Sequence, residues 1–212
     1  MSEVRKAIEA ERGDLADLLA GLDEAEWDMP SLCAGWRVRE VVAHITMPFR
    51  MSLPRFALDM AKARGNFNRM ADRVACREAA EISAAEFVKC LRDNITHPWK
   101  PPGGKFEDTL GHDVIHGLDI TVALGLDRVV PLDRLAYLLR DQSPKSIKFF
   151  GADLDGIELR ADDMDWTYGS GAPLTGRAQD LLLVQCGRKL PPGHLHGAAA
   201  DRFTSIDDEK RP

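Results

Sequence analysis

Six histidines are spread over 212 residues, and two of them, His112 and His116, stand four apart. On a helix this spacing sets two imidazoles about 40° apart around the axis and roughly 6 Å apart along it, where they can share one ion. Neutral imidazole is a common ligand for zinc and also suits nickel, copper and iron. Leu110, Val114, Ile115 and Leu118 flank the pair, so its face adjoins a core rather than lying wholly in water. A third ligand is needed, and the candidates are His44, His97, His194 and His196. His44 is preferred because the string Val41-Val42-Ala43-His44-Ile45 sets it in an apolar helical stretch, and bundles build metal sites from inward side chains on facing helices. Three protein ligands leave the fourth position that catalysis at a metal needs. The motif is not H-E-x-x-H: Asp113 follows His112, and peptide hydrolysis of that type is disfavoured.

These side chains need elements to hold them. Residues 4–22 carry Val4, Ile8, Leu15, Leu18, Leu19 and Leu22 at helical spacing. A second helix is expected over 38–63, bent at Pro48 and Pro54. Ser83 followed by Glu86 is a capping-box signature that opens a third, ending near His97-Pro98. A fourth runs over 106–124 and carries the histidine pair, and a fifth over 132–140 follows Pro131 as its first position. Beyond Pro144 the pattern changes. Residues 157–161 and 166–168 alternate like a hairpin, 176–187 reads as a short buried helix, and 195–203 as a returning strand. The fold class is therefore mainly α: a helical bundle over 1–148, a small α/β domain over 149–206 and a charged tail over 207–212.

Composition narrows the partners. At 44% hydrophobic and 29% charged residues the chain is an ordinary globular one, and a formal charge of −6 without a Lys/Arg stripe gives no footprint for nucleic acid. The first residues lack a signal-peptide core and no apolar run approaches a membrane span, so the expected location is cytoplasmic, with no membrane partner. Cys33, Cys76, Cys90 and Cys186 are scattered without a C-x-x-C, which predicts free thiols. A homodimer stays open, since every amphipathic face could also be used within one chain.

The segment Leu32-Cys33-Ala34-Gly35-Trp36-Arg37-Val38-Arg39-Glu40-Val41-Val42-Ala43-His44 resembles the signature that starts the second helix in the mycothiol-dependent maleylpyruvate isomerase family, within the DinB-like superfamily of metal-binding four-helix bundles. Asp165-Trp166, Gly169-Ser170-Gly171, Gly176, Gly187-Arg188 and Leu195-His196-Gly197 look like the small C-terminal domain of its actinobacterial members. The resemblance implies a divalent metal, typically zinc, with ligands falling on His44, His112 and His116. In the isomerase the middle ligand is a glutamate, and here it is His112. Three neutral imidazoles leave the ion its full double charge, so a bound thiol or water should be more acidic.

What this implies is an enzyme that uses a low-molecular-weight thiol, mycothiol, as cofactor or co-substrate for isomerisation of, or S-transfer to, a small electrophile. Zn2+ is the expected ion, with Ni2+ or Fe2+ also compatible. Two rival readings are a hydrolase that activates water at the same ion, with Asp113 or Asp119 as its base, and a metal-stabilised module that binds a small ligand without turnover. Asp113 and Asp119 could instead hydrogen-bond the ligand histidines. Trp36 is read as a hydrophobic plug and Cys33 as a packing residue. Arg37, Arg39, Arg50 and Arg55 are candidates for thiol recognition because they share the stretch bearing His44.

Overall fold

The structure, a computed structural model, describes residues 2–140 and 142–205. The expected tail over 207–212 lies outside the described residues. The chain divides into two compact units, Met1–Ile120 and Thr121–Pro212.

The first unit is helical throughout: α1 (Glu3–Ala20), α2 (Glu24–Trp27), α3 (Val38–Arg50), α4 (Leu53–Lys62), α5 (Phe67–Glu81), α6 (Ala84–Asp93) and α7 (Phe106–Thr121). α1 buries Val4, Ile8, Leu15, Ala16 and Leu19, the three-and-four stripe legible in the sequence. α3 buries Val38, Val41, Val42, Ala43, Ile45 and Met47 and packs on both α5 and α6, while α1 packs on α6. Ser83 caps α6 as expected: its Oγ accepts from Glu86 N–H at 3.3 Å and Glu86 Oε2 accepts from Ser83 N–H at 2.9 Å.

Several expectations need correction here. The single bent helix over 38–63 is two helices, broken at Met51 and Ser52. Pro48 stays inside α3, whereas Pro54 sits in the first turn of α4, where a missing N–H removes no bond. The third helix ends at Asp93 rather than near His97, and α7 ends at Thr121. α2 and α5 were not anticipated. The buried stripe of α5 is Met70, Ala71, Val74, Ala75, Glu78 and Ala79, with three alanines and a glutamate, so few large apolar side chains mark it.

The second unit contains α8 (Leu132–Leu139), α9 (Pro144–Phe149), β1 (Ile157–Ala161), β2 (Thr167–Gly169), β3 (Ala172–Gly176), α10 (Ala178–Gln185), β4 (Leu195–His196) and α11 (Ala200–Phe203). Its sheet has the order β2-β1-β3-β4. β1 and β2 form the expected antiparallel hairpin, with Leu159 opposite Tyr168, and β3 joins β1 in parallel, with Leu159 opposite Leu174. Gly171, at φ +132°, turns the chain from β2 into β3; a Cβ there would lie 2.1 Å from Gly156 O. All eight residues of α10 are buried. The strand expected over 195–203 is only two residues long, because the chain turns helical at Ala200, and Pro131 caps α8 rather than opening it. β3 and α9 were missed; β3 carries Pro173, which blurs the strand signal.

The architecture is thus mainly α with a small mixed sheet, as the sequence predicts. Among the described residues, no helix is long and apolar enough to cross a membrane.

Candidate metal centre

α3 presents His44 and α7 presents His112 and His116. The three rings form a near-equilateral cluster, with centroids 5.0 Å apart for His44 and His112, 4.9 Å for His44 and His116, and 5.0 Å for His112 and His116. One nitrogen from each ring lies within 4.8 Å of the other two, and all three residues are half-buried. A tetrahedral site with bonds of 2.0–2.1 Å has edges of about 3.4 Å, so small side-chain adjustments close the triangle on an ion.

Two of the rings are oriented by buried carboxylates. His112 Nδ1 meets Asp113 Oδ1 at 2.9 Å, and His116 Nδ1 meets Asp119 Oδ2 at 3.0 Å. A proton held between Nδ1 and a carboxylate leaves Nε2 of each ring with its lone pair, the arrangement that second partners impose on metal-binding histidines. His44 has no such carboxylate: its Nδ1 is buried without a hydrogen-bond partner. Burial, and then the nearby His116 and His112, push the His44 pKa well below 6.5. The ring therefore stays neutral and keeps a lone pair to give. Three imidazoles, of which His44 is kept neutral and carries an unsatisfied buried nitrogen, fit a borderline divalent cation.

The support extends outward. Arg12 of α1 is buried; its Nε donates to Asp113 Oδ2 at 2.8 Å. Its Nη1 donates to the carbonyls of Asn94, Ile95 and His97 at 3.2, 3.3 and 2.8 Å, which ties the end of α6 to the carboxylate that orients His112. On the other side Cys33 Sγ donates to Asp119 Oδ2 at 3.0 Å and lies 3.7 Å from His116 Nδ1. Leu32 N–H donates to Asp119 O at 3.0 Å, so the loop before α3 closes around that residue. Two tryptophans wall the cluster: Trp36 lies 5.3 Å from the His44 ring and Trp99 5.3 Å from that of His112.

The sequence-chosen triad His44, His112 and His116 is therefore one cluster, and Asp113 and Asp119 are the hydrogen-bond partners anticipated for it. His97 instead meets Phe49 edge-on, and His194 and His196 belong to the second unit. Cys33 does more than pack, since it shares Asp119 with His116. Trp36 is half-buried against His44, its Nε1 donating to Asp72 Oδ1 at 2.9 Å, rather than a plug. Trp99 and Arg12 were missed, and nothing in their local sequence marks them. The four candidate arginines are engaged with carboxylates: Arg37 with Glu40 and Asp28, Arg39 with Asp28 and Glu24, Arg50 with Glu78, and Arg55 at 3.9 Å from Asp59.

Residues 8–97 match the family model described as the mycothiol maleylpyruvate isomerase N-terminal domain. The fold matches a crystal structure of the mycothiol-dependent maleylpyruvate isomerase with a TM-score of 0.61 at 14% identity, covering 93% of this chain and 92% of that one. A histidine-to-alanine mutant of that enzyme matches with a TM-score of 0.58, at the same identity and coverage. At such identity the likeness is one of fold. The comparison with curated proteins gives no match.

Proposed function

Because residues 8–97 match the model of the mycothiol maleylpyruvate isomerase N-terminal domain, we propose that His44, His112 and His116 hold a divalent metal, zinc foremost, in a thiol-dependent enzyme. The thiol is mycothiol, serving as cofactor or co-substrate, and the reaction is isomerisation of a small electrophile or S-transfer to it. The observation that carries this reading is the cluster itself: three ring nitrogens within 4.8 Å, two of the rings oriented by buried carboxylates.

When bound, such a cation supplies a Lewis acid that lowers the pKa of a thiol in its open position. The chain's own residues do the rest. Asp113 and Asp119 hold the Nδ1 protons of His112 and His116, so both rings keep the tautomer that presents Nε2. Arg12 neutralises Asp113, which keeps that carboxylate from drawing a full proton off the ring. Trp36 and Trp99 give the cluster apolar walls that exclude water and offer aromatic surface to an electrophile. The hydrolase reading loses its base, since both Asp113 and Asp119 are committed to the histidines.

The test is turnover by the metal-loaded full chain, with mycothiol, of either maleylpyruvate or a bimane electrophile. The expected result is thiol-dependent consumption of one of them that His44→Ala abolishes. A metal-loaded protein that neither binds nor consumes the thiol would overturn the proposal.

A further inference from the structure

The second unit has a polar cavity of its own, about 400 Å³ in volume. Asp180, in the first turn of α10, lines it together with Asp162, Arg128, Arg177, His194 and His196. Asp180 is only 3% exposed, and its two oxygens differ. Oδ2 meets His194 Nδ1 at 3.2 Å, whereas Oδ1 is buried with no hydrogen-bond partner. Leaving a buried acceptor unmet costs roughly 1–3 kcal/mol, and more when it is charged, so the cavity wall lacks a donor. Burial raises the Asp180 pKa against the opposing pull of His194 and Arg177, the direction a cationic partner would reverse.

The amide of the neighbouring Gln179 does not fill this role. Gln179 Nε2 already donates to Arg128 O and its Oε1 accepts from Val130 N–H, both at 2.9 Å. Nor is the site built for a metal: among the described residues, the groups of three metal-ligating side chains all lie in the first unit. A small organic cation is a donor that suits this lining. Two guanidinium groups, of Arg128 and Arg177, stand with three carboxylates, of Asp127, Asp162 and Asp180, so the lining holds one more carboxylate than guanidinium. Arg177 stands half exposed and reaches Asp127 only at 3.5 Å, so its planar fork can turn to an incoming acceptor.

We propose that this cavity binds a small α-amino acid, its ammonium donating to Asp180 Oδ1 and its carboxylate facing Arg177. An ammonium is the donor that a buried carboxylate oxygen holds most strongly, and the guanidinium fork matches the carboxylate. The volume exceeds what a small amino acid needs. The inference is independent of the histidine cluster and of any reaction there.

Calorimetric titration of the full chain with L-alanine, L-lactate and ethylamine separates the two contacts, because lactate replaces the ammonium by a hydroxyl and ethylamine lacks the carboxylate. Alanine should bind at least tenfold more tightly than either. Asp180→Asn should erase its advantage over lactate, and Arg177→Gln, at a half-exposed position that folding tolerates, its advantage over ethylamine. His44→Ala should leave all three affinities unchanged. The proposal is overturned if alanine shows no saturable binding at millimolar concentration, or if Arg177→Gln keeps the wild-type ratios.

Discussion

Replacing Arg12 by methionine probes how strongly the scaffold is invested in the histidine cluster. Arg12 and Asp113 are each 1% exposed in the side chain and meet at 2.8 Å, so the substitution strands a buried carboxylate that still meets His112. Breaking a buried pair from one side costs about 3–5 kcal/mol, because the charge left behind is neither solvated nor paired. The three carbonyls that Arg12 serves, of Asn94, Ile95 and His97, lose a donor at the same time. For a chain of this length 1 kcal/mol moves Tm by about 2–4 °C, so Arg12→Met should lower Tm by roughly 6–20 °C. Asp113→Asn added to Arg12→Met removes the stranded charge and should recover part of that loss, whereas independent sites would simply add. Thermal melts of metal-free wild type, the single variant and the double variant decide the matter. A single-variant shift of 2 °C or less, or a double variant worse than the sum of both single changes, refutes the reasoning.

Other outcomes follow from the same contacts. Asp119→Asn keeps the volume but removes the carboxylate that holds the His116 Nδ1 proton, and should weaken metal binding about 10–100-fold in a competition titration with a chelating dye. The depressed pKa of His44 means that below pH 6.5 the unfolded chain takes up a proton that the folded one refuses. Stability of the metal-free protein should therefore be fully present above that pH and fall by up to about 1.4 kcal/mol per pH unit below it, a slope His44→Phe should flatten in urea melts at pH 7 and pH 5.5. Gly171→Ala places a Cβ 2.1 Å from Gly156 O at a φ that L residues rarely adopt, and should destabilise the second unit by about 2 kcal/mol or more, seen as earlier unfolding of β1–β3 amides in hydrogen exchange.

The parts of the site carried by one local pattern were legible in the sequence. His112 and His116 announce themselves by spacing on a helix whose remaining face is apolar, and His44 by its apolar neighbours. Asp113 and Asp119 lie one and three residues from the histidines they orient, within reach of local reasoning. Contacts that only the tertiary fold creates were not legible. Cys33 meets Asp119 across 86 positions, and Arg12 meets Asp113 across 101, with no periodicity linking either pair. The same division holds for the elements. α1 buries large aliphatic side chains at helical spacing and α6 opens with a capping box, whereas α5 buries alanines and a glutamate that pairs with Arg50 of another helix. At residues 195–203 local alternation suggested a strand, and the sheet edge uses only two of those residues before the chain turns helical.

Metal content by mass spectrometry on tag-free protein, comparing wild type with His44→Ala and His116→Ala, tests the central claim most directly. The prediction is close to one equivalent of zinc, nickel or iron per wild-type chain, lost from both variants while their helical circular dichroism is retained. Well-folded wild type that takes up no metal after incubation with zinc or nickel, or variants that keep the wild-type content, would contradict the account.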